Sequence, residues 1–390
     1  MKDGAMQFGA VLMRSGDRAL MGFGVVEEWR AYTVEQAEVM LEDLRKTPGW
    51  KMGYLSYDLG AKWMGLESQH EDEFKTPLLH FVQPEEVYVY DEIDFDLGWM
   101  GEGFDLKGEN ALGDWSYEEY EAAMKEVHEM LRRGESYEVN LAHRFKGDWV
   151  GQPLELFRRL SEKNPSPYAC YLNFDPVTVV SCSPEQLIKG RQVADRMMLS
   201  TRPIKGTVPR GESSEEDQRL IDELLSSGKT EAELNMIVDL ARNDLGRICE
   251  IGSVKVSSHR AVESYSHVHH TMSTVEGLLK KDLDWVDVLK VIFPGGSITG
   301  APKKRTCEII DRVEGSSRGI YTGSAGWISP EGEFEFNILI RTVAMLRDRE
   351  NVLAGRYSYH SGGGIVMDSV AKEEWQETLD KAAVLEECLR

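Results

Sequence analysis

The chain has 390 residues, 41% apolar and 9% aromatic, enough for a sizeable core and for more than one domain. Its formal net charge is −22. A surface of that sign repels phosphate backbones and anionic lipid, so nucleic acid and membrane surfaces are poor partners, and any anionic substrate must be held by a local basic pocket or a metal. No apolar run long enough to span a bilayer is present, and MKDGAMQFGAVLMRSGDRAL lacks the basic-then-apolar form of a signal peptide. A soluble, cytoplasmic protein is expected. Cys170, Cys182, Cys249, Cys307 and Cys388 never fall in a C-x-x-C spacing. They read as buried structural thiols, not as a disulfide framework or a zinc site.

In chain order, strand-like runs at Gln7–Met13, Met52–Ser56 and Val87–Tyr90 surround one amphipathic stretch, Val34–Leu44. The polar, glycine-rich passage GEGFDLKGENALGD (101–114) reads as a surface connection. Ser116 followed by Glu119 has the form of a capping box. Tyr120, Met124, Val127 and Leu131 then repeat at helical spacing, and Gly134 is a good stop. Strands are predicted at Tyr137–Phe145, Ala169–Phe174 and Val177–Cys182, and helices at Glu215–Leu225 and Glu231–Leu240. A strand near Ser253–Val256 and a helix at Trp285–Ile292 follow. The last third carries strands at Ala325–Ile328, Ile338–Met345 and Gly364–Met367, then a helix over Ser369–Cys388. This irregular order of strands and helices indicates an α+β fold.

Three features bear on chemistry. FPGGSITGAPKKR (293–305) is glycine-rich and basic but lacks the Walker spacing, so it is a weak nucleotide signal. Glu233 borders the apolar stripe of Met236, Ile237 and Leu240, while Glu374, Glu377 and Lys381 share one face of the last helix. Such carboxylates either form a solvated, salt-bridged face or supply the hard oxygen ligands that Mg²⁺ prefers; spacing alone does not decide. In TRPIKGTVPRG (201–211), Lys205 stands between Pro203 and Gly206 at the end of a predicted strand. Desolvated, it would have a lowered pKa and be a usable amine nucleophile; a surface lysine in a turn fits the local sequence equally well.

Together these segments resemble the chorismate-binding enzymes, a family that includes anthranilate, aminodeoxychorismate, isochorismate and salicylate synthases. The resemblance runs in one collinear order from Ser116 to the C-terminus. It rests on CSPEQL (182–187), RPIKGTVPRG, ELNMIVDLARNDLGR (233–247), FPGGSITGAPKKR, RGIYTGSAGWIS (318–329), IRT (340–342), SGGGIV (361–366) and EEWQETLDKA (373–382). The amino-terminal hundred residues match mainly in GYLSYDLG (53–60). The resemblance implies an anthranilate synthase component I-like fold: two large antiparallel β-sheets packed as a sandwich with helices outside. Residues 1–110 would be the weakly matched amino-terminal part, and 111–390 the chorismate-binding catalytic domain.

Carried over residue by residue, the resemblance implies roles at these positions. Glu233 and Glu377 match direct Mg²⁺ ligands, and Glu374 a carboxylate acting through water; the metal would anchor the ring carboxylate. Tyr321 and Arg341 match residues that grip the enolpyruvyl carboxylate. Lys381 and the backbone of Gly206 and Gly364 match further carboxylate contacts, and the neighbouring Thr207 and Gly362 are expected to line the same substrate site. Glu185 matches the general acid for the departing C4 hydroxyl and must be protonated at neutral pH. His270 matches an active-site histidine, with a satisfied core histidine as the plain alternative.

Within the family, anthranilate synthases resemble P-I-A-G-T where aminodeoxychorismate synthases carry P-I-K-G-T, and this chain has Lys205. That implies 4-amino-4-deoxychorismate formation through a covalent Lys205 intermediate, on the way to 4-aminobenzoate and folate. Anthranilate formation, or a silent homologue that only binds the amidotransferase, are the alternatives. Where isochorismate and salicylate synthases carry a lysine base and many aminating relatives a glutamine, this chain has Glu138. It could help deprotonate ammonium or make a structural hydrogen bond. Thr230 replaces a carboxylate usual in the family, a role Glu231 could take over. No amidotransferase or pyridoxal-phosphate lyase motif is found. Ammonia is therefore expected from a separate glutamine amidotransferase subunit, and pyruvate release from a separate aminodeoxychorismate lyase.

Overall fold

The computed structural model describes residues 9–16, 18–90, 106–108, 111–265 and 268–390. Two antiparallel sheets dominate. The eleven-stranded sheet runs in the order Gly300–Ala301, Glu138–Gly151, Ala354–Ile365, Thr342–Arg347, Val177–Ser181, Cys170–Leu172, Val11–Ser15, Arg18–Phe23 and Glu86–Tyr90. The short strands Leu106–Gly108 and Leu112–Gly113 also pair with Glu138–Gly151. The ten-stranded sheet runs Ile204–Pro209, Val268–Leu278, Arg196–Arg202, Gln186–Val193, Phe334–Asn337, Ser324–Ile328, Lys51–Leu55, Leu79–Gln83 and Glu27–Ala31, with Lys255–Ser264 on Val268–Leu278. The expected sandwich is thus present, and strands from before residue 110 complete both sheets.

Alternation along the strands explains the layers. Val11 and Met13 pack with Met52, Tyr54, Val179 and Trp327 between the sheets. Leu12, pointing the other way, joins Phe157, Tyr357 and Leu385 beneath the helices Pro153–Lys163 and Ala371–Leu389. A strand covered on both faces must be apolar on both, which is why Val11, Leu12 and Met13 follow one another without alternation. Over the second sheet lie Val34–Lys46, Gly228–Ile248 and Trp285–Ile292. Ser116 and Glu119 form the expected capping box on the helix Tyr117–Arg132. Tyr120, Met124, Val127 and Leu131 are its buried face.

Several sequence expectations are corrected. The run 338–345 is not one strand. Phe334–Asn337 belongs to one sheet and Thr342–Arg347 to the other, and residues 338–341 cross between them. Ile338 and Leu339 are buried in the crossing, so apolar character imitated a strand. The helix predicted from Glu231 begins at Gly228, capped by Ser227, and continues to Ile248. The strand near Ser253–Val256 is instead Lys255–Ser264, half of a hairpin with Val268–Leu278. Residues 91–105 and 109–110 lie outside the described residues, as does Gln7. The remainder of the supposed connection carries two short strands.

Candidate active site

Two crossings between the sheets lie side by side. Residues 182–185 lead from Val177–Ser181 to Gln186–Val193, and 338–341 lead from Phe334–Asn337 to Thr342–Arg347. The Cys182 amide donates to the Arg341 carbonyl at 3.1 Å, and the Ile338 amide to the Glu185 carbonyl at 3.0 Å. Ser183 Oγ donates to the Ile338 carbonyl at 2.5 Å. Two motifs far apart in sequence therefore brace each other. They present Glu185 and Arg341, whose φ of 50° marks the sharp turn out of the crossing.

Glu185 is 5% exposed, and Ser297 Oγ donates to its Oε1 at 2.6 Å. Burial pushes its carboxyl up to about 7, against the opposing pull of Ser297, Lys205 and the Ile204 backbone. A carboxyl in that range is available as a proton donor near neutral pH. The carboxyl lines a cavity of about 30 Å³ with Thr201, Pro203, Asp244, Gly296 and Ser297. Ser297 is the partner that residue patterns missed, although it stands inside the quoted glycine-rich segment. Two cations of that segment are held in ion pairs. Lys303 donates to Asp244 at 2.8 Å, and Arg305 pairs with Glu135 and Glu308.

Lys205 lies near the start, not the end, of Ile204–Pro209, and its side chain is turned inward. Its Nζ donates to Glu138 Oε1. The expected lowered pKa is not found. Burial does pull the ammonium down, but Glu138, Glu233 and Glu185 outweigh it and hold Lys205 above the ordinary lysine value. Gly364 makes room for the pair: a Cβ there would stand 2.2 Å from Glu138 Oε1 and 3.2 Å from Lys205 Nζ. Gly206, at φ 79°, lets the strand pass the helix Gly228–Ile248, where a Cβ would meet the Thr230 methyl at 2.4 Å.

Thr207 and His270 hydrogen-bond at 2.7 Å through Nδ1. Burial, helped by Arg341, lowers His270 to about 4, so it is neutral at physiological pH. His270 and Arg341 line one small cavity with Asn164, Pro184 and Tyr265. Tyr321 lines a cavity with Arg318 and His360, its hydroxyl beside the Asn140 side chain. The buried Arg318–Glu314 pair fixes this corner: Arg318 donates to the Asn140 and Ile298 carbonyls, and Glu314 accepts from the Ala142 amide. Glu138 and Asn140 are two apart on one strand and share a face.

The expected metal carboxylates come from two helices. On Ala371–Leu389, Glu374 and Glu377 converge on Gly363, where a Cβ would lie 3.4 Å and 3.7 Å from their oxygens and 3.8 Å from Lys381 Nζ. Lys381 also donates to the Gly362 carbonyl at 3.1 Å. Glu233 projects from Gly228–Ile248 near enough to raise Lys205. Hard oxygen donors on a glycine-walled floor suit a divalent cation such as Mg²⁺. Among the described residues, however, no three His, Cys, Asp or Glu side chains are already gathered as a metal cluster. Two of the donors are otherwise engaged: Ser369 holds Glu374 at 2.7 Å, and Lys381 holds Glu377 at 2.6 Å. Beside Thr230, Glu231 pairs with Arg260 at 2.9 Å.

Comparison with known proteins gives this geometry its family. Residues 102–387 match the family described as chorismate binding enzyme. The chain belongs to the chorismate-binding enzyme family. It is 35% identical over 374 residues to aminodeoxychorismate synthase component 1 of Bacillus subtilis (strain 168), covering 87% of this chain and 77% of that protein. It is 44% identical over 276 residues to anthranilate synthase component 1 of Aquifex aeolicus (strain VF5), covering 71% of this chain and 54% of that protein. The fold matches the crystal structure of anthranilate synthase component I from Streptococcus pneumoniae TIGR4, with a TM-score of 0.81 at 27% identity over 95% of this chain and 92% of that chain. This member of the chorismate-binding enzyme family is a chorismate-utilising enzyme of the aminodeoxychorismate/anthranilate synthase kind. Among its described residues, no helix is long and apolar enough to cross a membrane.

Proposed function

We propose that the chain is an aminodeoxychorismate synthase component I, converting chorismate and ammonia to 4-amino-4-deoxychorismate. The observation that carries this reading is Lys205, a buried amine beside the acid Glu185 and the glycine floor at Gly364. An alanine in its place would offer no nucleophile.

In this reading Lys205 Nζ bonds to ring carbon C2 while the ring double bonds shift and the C4 hydroxyl leaves. Glu185, protonated near pH 7 because it is buried, gives its proton to that hydroxyl, which departs as water. Ammonia then bonds to C4, the electrons shift back, and the C2–N bond to Lys205 breaks. The ammonium left on C4 returns a proton to Glu185. Arg341, Tyr321, Lys381 and the backbone of Gly206 and Gly364 bind and orient the substrate carboxylates. Glu233, Glu377 and Glu374 would hold Mg²⁺, which when bound offsets the substrate's negative charge within a −22 protein. Ammonia would come from a glutamine amidotransferase subunit in the cytoplasm, and a separate lyase would act next.

The test is the product formed from chorismate, MgCl₂ and ammonium, identified by mass spectrometry with and without a lyase. Wild type is expected to give an aminated chorismate that becomes 4-aminobenzoate only with the lyase, and Lys205→Ala to give none. A fluorescent aromatic amine formed without lyase would make the chain an anthranilate synthase. Full activity in Lys205→Ala would remove the covalent route.

A further inference from the structure

Lys205 presents a difficulty that its surroundings also resolve. Three carboxylates face it: Glu138 on the strand Glu138–Gly151, Glu185 in the crossing, and Glu233 on the helix Gly228–Ile248. They hold it as an ammonium, which has no lone pair, so it must lose a proton before it can attack carbon. Glu185 cannot receive that proton, since its part is to be protonated already and to give a proton away. Glu233 lies on the helix assigned to the metal. Glu138 differs from both. It is 1% exposed and touches Lys205 Nζ through Oε1. Its Oε2 is buried and has no hydrogen-bond partner among the described residues. A buried carboxylate oxygen left unsatisfied is costly and calls for an explanation in function.

We infer that Glu138 is the base that takes the proton from Lys205 and returns it at the end of the cycle. The inference rests on the proposed covalent route. In the forward step one Nζ–H bond breaks and one O–H bond forms on Glu138. The freed amine bonds to the ring, and the new bond carries the positive charge on nitrogen. When ammonia displaces the lysine, the departing neutral amine recovers the proton from the Glu138 carboxyl, restoring the starting pair. Nothing is oxidised or reduced, and no other co-reactant is needed. Substrate binding drives this exchange in the needed direction. It excludes the remaining water from a site that is already largely enclosed, and desolvation favours a neutral acid–amine pair over an ion pair. Gly364 is part of the device, because any side chain there would occupy the position of the carboxylate.

The experiment compares Glu138→Gln and Glu138→Ala with wild type under saturating ammonium. Glutamine keeps the shape and the hydrogen-bond acceptor but is no base. For Glu138→Gln, kcat is expected to fall at least about tenfold while KM for chorismate stays within about twofold, in line with loss of a general base. For Glu138→Ala, whose truncation leaves a space beside Gly364, added formate is expected to restore part of kcat; Glu138→Gln has no such space and should not respond. Wild-type kcat in Glu138→Gln, or a slow Glu138→Ala that binds chorismate normally but ignores formate, would overturn the inference. Both of those results leave the proposed function standing so long as Lys205→Ala is inactive. An active Lys205→Ala removes the proposed function itself.

Discussion

Ser297 Oγ donates to Glu185 Oε1 at 2.6 Å, joining a residue of the glycine-rich segment to one in the crossing between the sheets. The bond favours the carboxylate and opposes burial, which on balance still lifts Glu185 to about 7. Ser297 therefore sets how far toward alkaline pH the acid remains protonated.

Removing that hydroxyl should move the pH dependence in a known direction. A general acid works below its own pKa, so activity should decline as pH rises through about 7. In Ser297→Ala the carboxylate loses a donor and its pKa rises further. The declining limb of kcat against pH should then shift to higher pH. A limb that stays in place or moves to lower pH would contradict the role given to Ser297.

The same carboxyl should destabilise the fold in a defined pH window. Its folded pKa lies above the unfolded value, so the unfolded chain loses its proton first and stability falls as pH rises from about 4.5 to about 7. Glu185→Gln escapes this cost. It should be inactive yet more stable than wild type by about 1–3 kcal/mol at pH 8, with little difference near pH 4. Thermal melts of both proteins at the two pH values test this.

Neighbouring carboxylates on one helix should behave differently toward metal. Glu233→Gln is expected to raise the Mg²⁺ concentration for half-maximal activity at least about tenfold and to raise KM for chorismate. Glu231→Gln should leave the titration unchanged, because Glu231 is turned to Arg260. Equal metal titrations for the two variants would refute the assignment of Glu233.

Two glycines of SGGGIV should fail in different ways. At Gly364 a Cβ meets the end of the Glu138 side chain, so Gly364→Ala should fold and lose activity by about 10²-fold as the pair is displaced. At Gly362 a Cβ would lie 2.5 Å from the Leu141 backbone oxygen. Backbone cannot step aside, so Gly362→Ala should cost about 1–3 kcal/mol of stability. Denaturant melts and kcat, measured on both variants, separate these outcomes.

Much was legible in the residues because its cause is local. The capping box at Ser116, the buried stripe of Tyr117–Arg132 and the helix Trp285–Ile292 follow from short-range patterns, and all three are present. The segments bearing the candidate site were also visible as motifs. Less visible were the polar hairpin of Lys255–Ser264 and Val268–Leu278, whose first strand is largely exposed or half-buried, and the crossing at 338–341, whose buried apolar residues resemble a strand.

The sequence by itself determined which residue types are available: an amine at 205, an acid at 185, and carboxylates on two helices. Only the tertiary structure decided their states. Burial lifts Glu185, while three carboxylates brought from separate elements keep Lys205 charged against the pull of its own desolvation. A side chain's proton affinity depends on the charges and water around it, and residues 67 positions apart become neighbours only when the sheets close.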